Sequence, residues 1–537
     1  MTTTSTERST ALRSCSTPPA TGPAHPRAIL AIILVSYFLI LLDNSVIFTG
    51  LPSIASALDL GAAGLSWVQD AYTLVFGGLL LLGARLGDLL GRRRVFVGGL
   101  AVFVAASFLV GVAPTGWWLI GARGLQGVGA AVVAPSALSL LTASFPEGEQ
   151  RSRAVAWYAA TAGIGASLGL LVGGAAAQWI SWRAGFFINV PIGIAMALLA
   201  PRYLPTTPAR PGRFDLPGAL AATLGVGALV FGVLESAGRG WTDPVVVAAL
   251  LFAAVVLVGL VRHERRAEQP IMPLRLFSDR RRSGAYAARA LYLGAMMGFF
   301  FFSTQLMQEV LGFTPFQAGL GFLPMTAVNF AFATAFPRFA RRYGDAVTLV
   351  AGVVLTLAGM VWLAQVGADS SYLRGVALPM LLIGAGQGLA FAPLTSFGIA
   401  GVRTEDAGAA SGMVNTAHQL GTATGLAVLV AASAQATGLV DRVATALTWG
   451  SGLLALCLLV VLAVVLPAQR RHATALASEA ASAARPFWRA DIVAGDLTDA
   501  TSITTALDGV DAEVLTHGAP YGSGADSGSS ERSAVDD

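Results

Sequence analysis

Two ionisable residues lie inside apolar runs, where a charge is costly. Asp43 sits in Leu42-Asp43-Asn44-Ser45-Val46-Ile47, and Arg123 opens Arg123-Gly124-Leu125-Gln126-Gly127-Val128-Gly129. An ionisable side chain held in hydrocarbon is a functional candidate, because nothing but a specific role or partner offsets its burial. At a rise of about 1.5 Å per residue, Asp43 lies about 22 Å along a helix that begins near Ala28. Arg123 lies about 9 Å into a helix that begins near Trp117. Each is then some six residues from the same end of its helix, so the two are expected to pair. A carboxylate that loses a neighbouring guanidinium gains a reason to take up a proton, which is the chemistry of a coupling switch. Two alternatives remain open: Asp43 as a carboxylate snorkelling to an interface, and Arg123 as an anchor beside Trp117 and Trp118. Asn44 and Gln126 next to the pair, and Asn329 and His418 near the middle of other apolar runs, are candidates to line a cavity or to bond a neighbouring helix. His418 is also a group that titrates near neutral pH.

A second stretch is built for packing and turning. In Gly83-Ala84-Arg85-Leu86-Gly87-Asp88-Leu89-Leu90-Gly91-Arg92-Arg93-Arg94, Gly83 and Gly87 form one small stripe four residues apart, where another helix can approach closely. Gly91 suits a helix C-cap, and the three arginines mark a cytoplasmic loop. Asp88 near a helix C-terminus is disfavoured by its own helix, so it is expected to answer to a neighbouring arginine or another helix's N-terminus. Further on, Gly165, Gly169 and Gly173 recur at i, i+4 and i+8, a smooth face for close or sliding contact.

These residues need long apolar helices to position them, and the composition supplies them. The 537 residues are 55% hydrophobic and 12% charged, with a mean hydropathy of +0.68; this is the composition of a membrane protein. All 34 basic residues are arginine, so a Walker A phosphate loop and a lysine Schiff base are both excluded. No cofactor loop, metal cluster or catalytic nucleophile stands out, and none is expected. A net charge of +4 spread over loops gives no support for nucleic-acid binding. Cys15 and Cys457 are too differently placed to pair.

Fourteen apolar segments are long enough to cross a bilayer of about 30 Å: 28–49, 66–86, 95–113, 117–141, 154–177, 184–204, 217–236, 244–262, 285–307, 318–338, 346–366, 375–397, 410–433 and 446–467. With the N-terminus inside, 25 arginines fall on the inner side near the spans and 4 on the outer side, which puts both termini in the cytoplasm. The halves echo each other: Arg85-x5-Gly91 recurs as Arg338-x5-Gly344, Ala134-Pro135 as Ala392-Pro393, and Gly165-x3-Gly169-Leu170 as Gly421-x3-Gly425-Leu426. Such drifting repeats are what paired six-helix halves show. The expected division is a disordered 1–27, a bundle over 28–204, two extra helices over 217–262, a second bundle over 285–467 and a largely disordered tail over 468–537. Within that tail, the stretch from Asp491 to His517 looks like a fragment of a nucleotide-binding reductase without its phosphate loop.

Several motifs then occur in order: Trp67-Val-Gln-Asp-Ala-Tyr72, the Gly83–Arg94 loop, Arg123-Gly-Leu-Gln-Gly127, Ser181-Trp-Arg183 with Phe187-Ile-Asn-Val-Pro-Ile-Gly193, and Ala409-Ala-Ser-Gly-Met-Val-Asn-Thr-Ala-His-Gln-Leu-Gly421. With the span count, the chain resembles the fourteen-helix drug:proton antiporters of the major facilitator superfamily. The resemblance implies an all-α membrane fold of two six-helix bundles plus two helices. It implies proton-driven efflux of an amphipathic, cationic or neutral drug-like compound across the cytoplasmic membrane, by a monomer working through alternating access. It assigns proton coupling to Asp43 and Arg123, and a conformational gate to Arg85, Asp88, Gly91 and Arg92 with Gly83 and Gly87. One departure stands: prolines usual in the family's fifth helix are replaced here by residues such as Ala166 and Leu170. The alternatives are transport of one specific metabolite and a non-transporting membrane sensor.

Overall fold

A computed structural model of the chain describes residues 25–146, 148–206, 215–267, 270, 272–367, 370–403 and 406–469. The chain divides into units Met1–Arg470 and Arg471–Asp537; the expected N-terminal segment, most of the tail and the Asp491–His517 stretch lie outside the described residues, as does Cys15. Cys457 is buried as a free thiol, its Sγ donating to the carbonyl of Ala288.

Most of the described residues are helical, with no strand among them. The helices are α1 (Pro26–Leu58), α2 (Ala62–Leu90), α3 (Arg92–Gly111), α4 (Gly116–Ser144), α5 (Glu149–Trp179), α6 (Trp182–Phe187), α7 (Asn189–Tyr203), α8 (Leu216–Arg239), α9 (Pro244–Glu264), α10 (Arg280–Gln305), α11 (Pro315–Gly321), α12 (Leu323–Tyr343), α13 (Asp345–Leu363), α14 (Leu378–Ile399), α15 (Ala407–Ser433) and α16 (Leu439–Val460). The pairs α6–α7 and α11–α12 each form one broken span. Among the described residues, twelve spans are long and apolar enough to cross a membrane by length and composition, against the fourteen expected. The two remaining segments are α5 and α15, of 31 and 27 residues. Their length suffices for a bilayer of about 30 Å; Asn415, His418 and Gln419 lower the apolar character of α15, and several side chains of α5 lie outside those described.

α1 also departs from the expected boundary at 49. It runs through Pro52 to Leu58 and ends on Asp59 in the left-handed conformation. Asp43 is therefore midway along its helix rather than near its end.

Helix contacts follow the glycines. α5 packs along α1 through the expected stripe: a Cβ on Gly165 would meet Leu41, on Gly169 Ser45 and the Leu42 carbonyl, and on Gly173 the Val46 carbonyl. α15 packs on α10 in the same manner, Gly421 against Ala290 and Gly425 against Gly294. The sequence echoes thus fall on equivalent helix pairs. Gly91 and Gly344 close α2 and α12 at φ of +92° and +83°, and Pro135 and Pro393 lie inside α4 and α14.

The halves meet in two places. Toward the face where α1 ends, α5 lies on α11, with Gly174 against Pro315 and Phe316 and Gly319 against Leu170; Phe48 stacks on Phe300 at 5.4 Å. Toward the face where α1 begins, α2 lies on α15, Leu81 reaching Gly412. α8 covers that second seam, since Thr223 touches Gly78 and α8 contacts both α2 and α15. α9 packs chiefly on α8. At the α15 start, Asp406 accepts hydrogen bonds from Arg275 and Arg403. The Arg275 bond holds the Asp406 carboxyl below the usual carboxylate range. That contribution is present at neutral pH and is lost as pH falls through the lowered pKa.

Because a Cβ on Gly425 would sit 2.2 Å from the Gly294 Cα, whereas one on Gly452 meets nothing within 4 Å, the two positions should tolerate a side chain unequally. Gly425→Val is expected to remove most of the monodisperse protein recovered in detergent, as overpacking costs about 1–3 kcal/mol or more. Gly452→Val should leave recovery unchanged. Equal recovery of both variants by size-exclusion chromatography would mean that the α10–α15 contact is not tight.

Candidate functional site

The sequence-predicted pair is formed. Arg123 Nη1 donates to Asp43 Oδ2 at 2.6 Å, and both side chains are fully buried. The pair is the centre of a larger cluster. Gln126, one helical turn along α4, donates from Nε2 to Asp43 Oδ1 at 2.6 Å and to Ser107 Oγ at 2.8 Å, and its Oε1 accepts from Arg123 Nη1 at 2.7 Å. Asn189 Nδ2 donates to Asp43 Oδ1 at 2.9 Å. Arg123 Nε donates to the Val68 carbonyl at 3.1 Å. The guanidinium lies 4.4 Å from the Tyr72 ring and 5.8 Å from that of Phe186, a cation–π cage.

Six elements converge to build this cluster: α1 supplies Asp43, α2 Val68 and Tyr72, α3 Ser107, α4 Arg123 and Gln126, α6 Phe186 and α7 Asn189. The approach of α4 to α2 depends on Gly127, where a Cβ would sit 2.6 Å from the Tyr72 carbonyl. Asn189 is delivered by the break between α6 and α7 at Ile188. Sequence reasoning placed Asn189 only inside a family motif; the signal that could have found it is a lone amide in an apolar run that has no local use.

The electrostatics are tightly constrained. Burying two ions is repaid only when the pair's geometry is good and the remaining donors and acceptors are used. Here three side-chain N–H donors converge on two carboxylate oxygens. A proton added to Asp43 would remove the negative charge that compensates Arg123.

The glycine-rich loop is joined to the same helix. Gly83 faces the Ala131 carbonyl of α4 at 2.1 Å from an ideal Cβ, and Gly87 faces Ser136. After the turn at Gly91, Arg92 Nη1 donates to the Ser139 carbonyl, and Arg93 Nη1 to the carbonyls of Pro201 and Leu204. Arg85 is half-buried on α2; Asp88 belongs to α2, but its side chain lies outside those described. α4 thus carries both the Arg92 anchor of this loop and Arg123.

The four cavity candidates are not brought together. Gln126 is locked in the buried cluster, so it does not line an open cavity. Asn44 is half-buried and accepts from Gln69 Nε2 at 2.9 Å. Asn329 lies half-buried on α12, its backbone against Gly388. His418 lies on α15, 3.3 Å from Arg289 Nη2.

Described residues that are nearly all helical, with twelve apolar spans among them and a charged cluster inside, are those of a multi-pass membrane protein. The sequence pattern of the Major Facilitator Superfamily matches residues 33–426, and the chain belongs to that family. It is 41% identical over 413 residues to the cephamycin export protein CmcT of Amycolatopsis lactamdurans, covering 76% of this chain and 85% of that one. It is 38% identical over 418 residues to the puromycin resistance protein pur8 of Streptomyces alboniger, covering 76% and 82%. A crystal structure of a peptide transporter in complex with sulfate shares the fold at a TM-score of 0.63 and 15% identity, covering 82% of this chain and 95% of that one.

Removing one member of the buried pair should cost about 3–5 kcal/mol, because it strands the other charge. Arg123→Leu and Asp43→Leu are each expected to lower thermal stability sharply, while the double variant loses much less than the sum. Additive losses in detergent unfolding would show that the two charges do not depend on each other.

Proposed function

We propose that the protein is a proton-coupled exporter of amphipathic drug-like or antibiotic compounds, working by alternating access between its two halves, and not an enzyme. The observation that carries this reading is the Asp43–Arg123 pair, buried at the convergence of six elements. The names of the relatives, one exporting cephamycin and one conferring puromycin resistance, support export as the direction and antibiotics as the substrate class.

The mechanism follows from the coupling of protonation to pair opening. With Arg123 in place, Asp43 is held as a carboxylate. When the bundle opens and Arg123 swings away, desolvation favours the protonated acid. A proton taken up from outside is released inward when the pair reforms, and substrate moves the other way. α4 links the two ends of this process, since it holds Arg123 and anchors the Gly83–Arg92 gate, in which Gly91 supplies the turn and Arg92 the latch on Ser139. The glycine faces of α5 on α1 and α15 on α10 provide surfaces on which helices reorient without interlocking side chains. In this reading α5 and α15 also cross the bilayer, giving fourteen crossings, a monomeric unit, and both termini in the cytoplasm.

In everted vesicles, an imposed proton gradient should raise accumulation of puromycin or ethidium severalfold. Asp43→Asn should abolish that increase while leaving substrate binding measurable. Accumulation that is equal with and without the gradient would refute proton coupling. The topology is checked separately: reporter fusions after Gln178 and after Gln469 should report opposite sides of the membrane, and the same side for both would overturn the crossing count.

A further inference from the structure

Two arginines are buried deep in the bundle, and they are treated differently. Arg123 is matched by Asp43. Arg289, nine residues into α10 and so about 13 Å from its start, is only 3% exposed, yet no carboxylate among the described residues lies within ion-pair distance of it. Its contacts are neutral: Nη1 donates to Thr395 Oγ1 at 2.7 Å, Nη2 lies 3.3 Å from His418 Nδ1, and the Phe391 ring sits 4.4 Å from the guanidinium carbon. Nε is buried with no hydrogen-bond partner. For Nη2 to donate to Nδ1, His418 must be neutral with its lone pair on that nitrogen, so the group carries one uncompensated positive charge.

The surroundings are open on one side. Phe391 is 37% exposed, and Ser411 and Asn415 on α15 are exposed at positions inside the bundle's length. Polar side chains exposed at that depth belong to the wall of a water-filled cavity, not to a lipid face. The orphan Nε–H and the second hydrogen on Nη2 form one edge of the guanidinium, the side-on fork that binds a carboxylate through two parallel hydrogen bonds. Phe391 offers an apolar ring beside it.

We infer that Arg289, with Thr395, His418 and Phe391, is the seat for an anionic group of the transported compound, and that the substrate class includes amphipathic organic carboxylates carrying an apolar or aromatic body. The inference rests on the export reading above and changes its substrate, which the sequence placed among cationic or neutral compounds. Arg123 cannot play this part, because Asp43 already occupies it. The guanidinium that holds the proton-coupling carboxylate and the one that holds the cargo are thus separate, one in each half.

The test uses purified full-length protein in detergent with benzylpenicillin, an aryl carboxylate, and its uncharged methyl ester. A ligand bound only by the folded state raises Tm by mass action. The expected result is an apparent affinity about tenfold higher for the acid than for the ester, the worth of a charge-assisted hydrogen bond. Arg289→Gln should erase the difference, Arg289→Lys should keep part of it, and Thr395→Val should weaken acid binding while the protein still prefers the acid. Equal affinity for acid and ester in the unsubstituted protein, or an acid preference that survives Arg289→Gln, overturns the assignment; the first comparison requires no variant to fold. Ethidium export by the same protein in vesicles reports on the parent reading alone. Export without acid preference sinks the anion seat and leaves the exporter standing, whereas acid preference without export of any compound keeps the seat and sinks the exporter.

Discussion

A carboxylate and a guanidinium enclosed by apolar helices must satisfy each other before the bundle can close, and the N-terminal half is arranged around that demand. Asp43 and Arg123 lie 80 positions apart in sequence, and neither gains from burial alone. Their pairing fixes the relative height of α1 and α4. Gln126 and Asn189 then both donate to Oδ1 of Asp43, which ties α7 to the same point. Ser107 and the Val68 carbonyl complete the set from α3 and α2. The consequence is mechanical as well as electrostatic: one proton on Asp43 touches the register of most helices in that half.

Such a cluster forms only if backbones come close enough for short side chains to reach. The glycines provide this. Gly127 brings α4 against α2, Gly129 brings it against α3, and Gly169 and Gly173 bring α5 against α1. In lipid, apolar burial does not drive helix association, so close packing and polar bonds must do so. The same residues therefore serve stability and mobility. A contact made between backbones and small side chains has few interlocking knobs to break when one helix shifts along another.

The sequence carried more of this arrangement than its periodicity alone would show, and where it misled, the reasons are physical. Asp43 and Arg123 were legible because charges in apolar runs are rare, and depth counted along helices placed them together. The depth itself was misjudged, since α1 continues through Pro52 to Leu58; a proline marks a helix end in sequence, yet inside a helix it costs a bond that the surrounding structure can absorb. The repeats were legible because Gly91 and Gly344 both occupy a turn with positive φ that favours glycine. Asn189 was hidden, as its use depends on a helix break 146 positions from its partner. Gln126 was read as a cavity residue because one polar side chain looks the same from sequence whether it faces water or a buried carboxylate. Among the described residues twelve spans are counted, and α15 is outside that count because its polar residues lower its apolar character.

That dilution has a meaning of its own. α15 presents Ser411, Asn415 and His418 on the stretch that faces Arg289 and Phe391, polar side chains where a lipid-facing helix would carry apolar ones. The N-terminal half hides its arginine among matched partners, Asp43, Gln126 and the Val68 carbonyl. The C-terminal half leaves its arginine with neutral neighbours and a buried Nε–H that has no hydrogen-bond partner. A buried charge without a counter-charge is unfavourable in the empty protein, and the binding of an anion relieves it. The half that is satisfied when empty and the half that is satisfied only when occupied give the two bundles different reasons to prefer one state over the other. A difference of that kind is what two states need before a proton and a cargo can be exchanged between them.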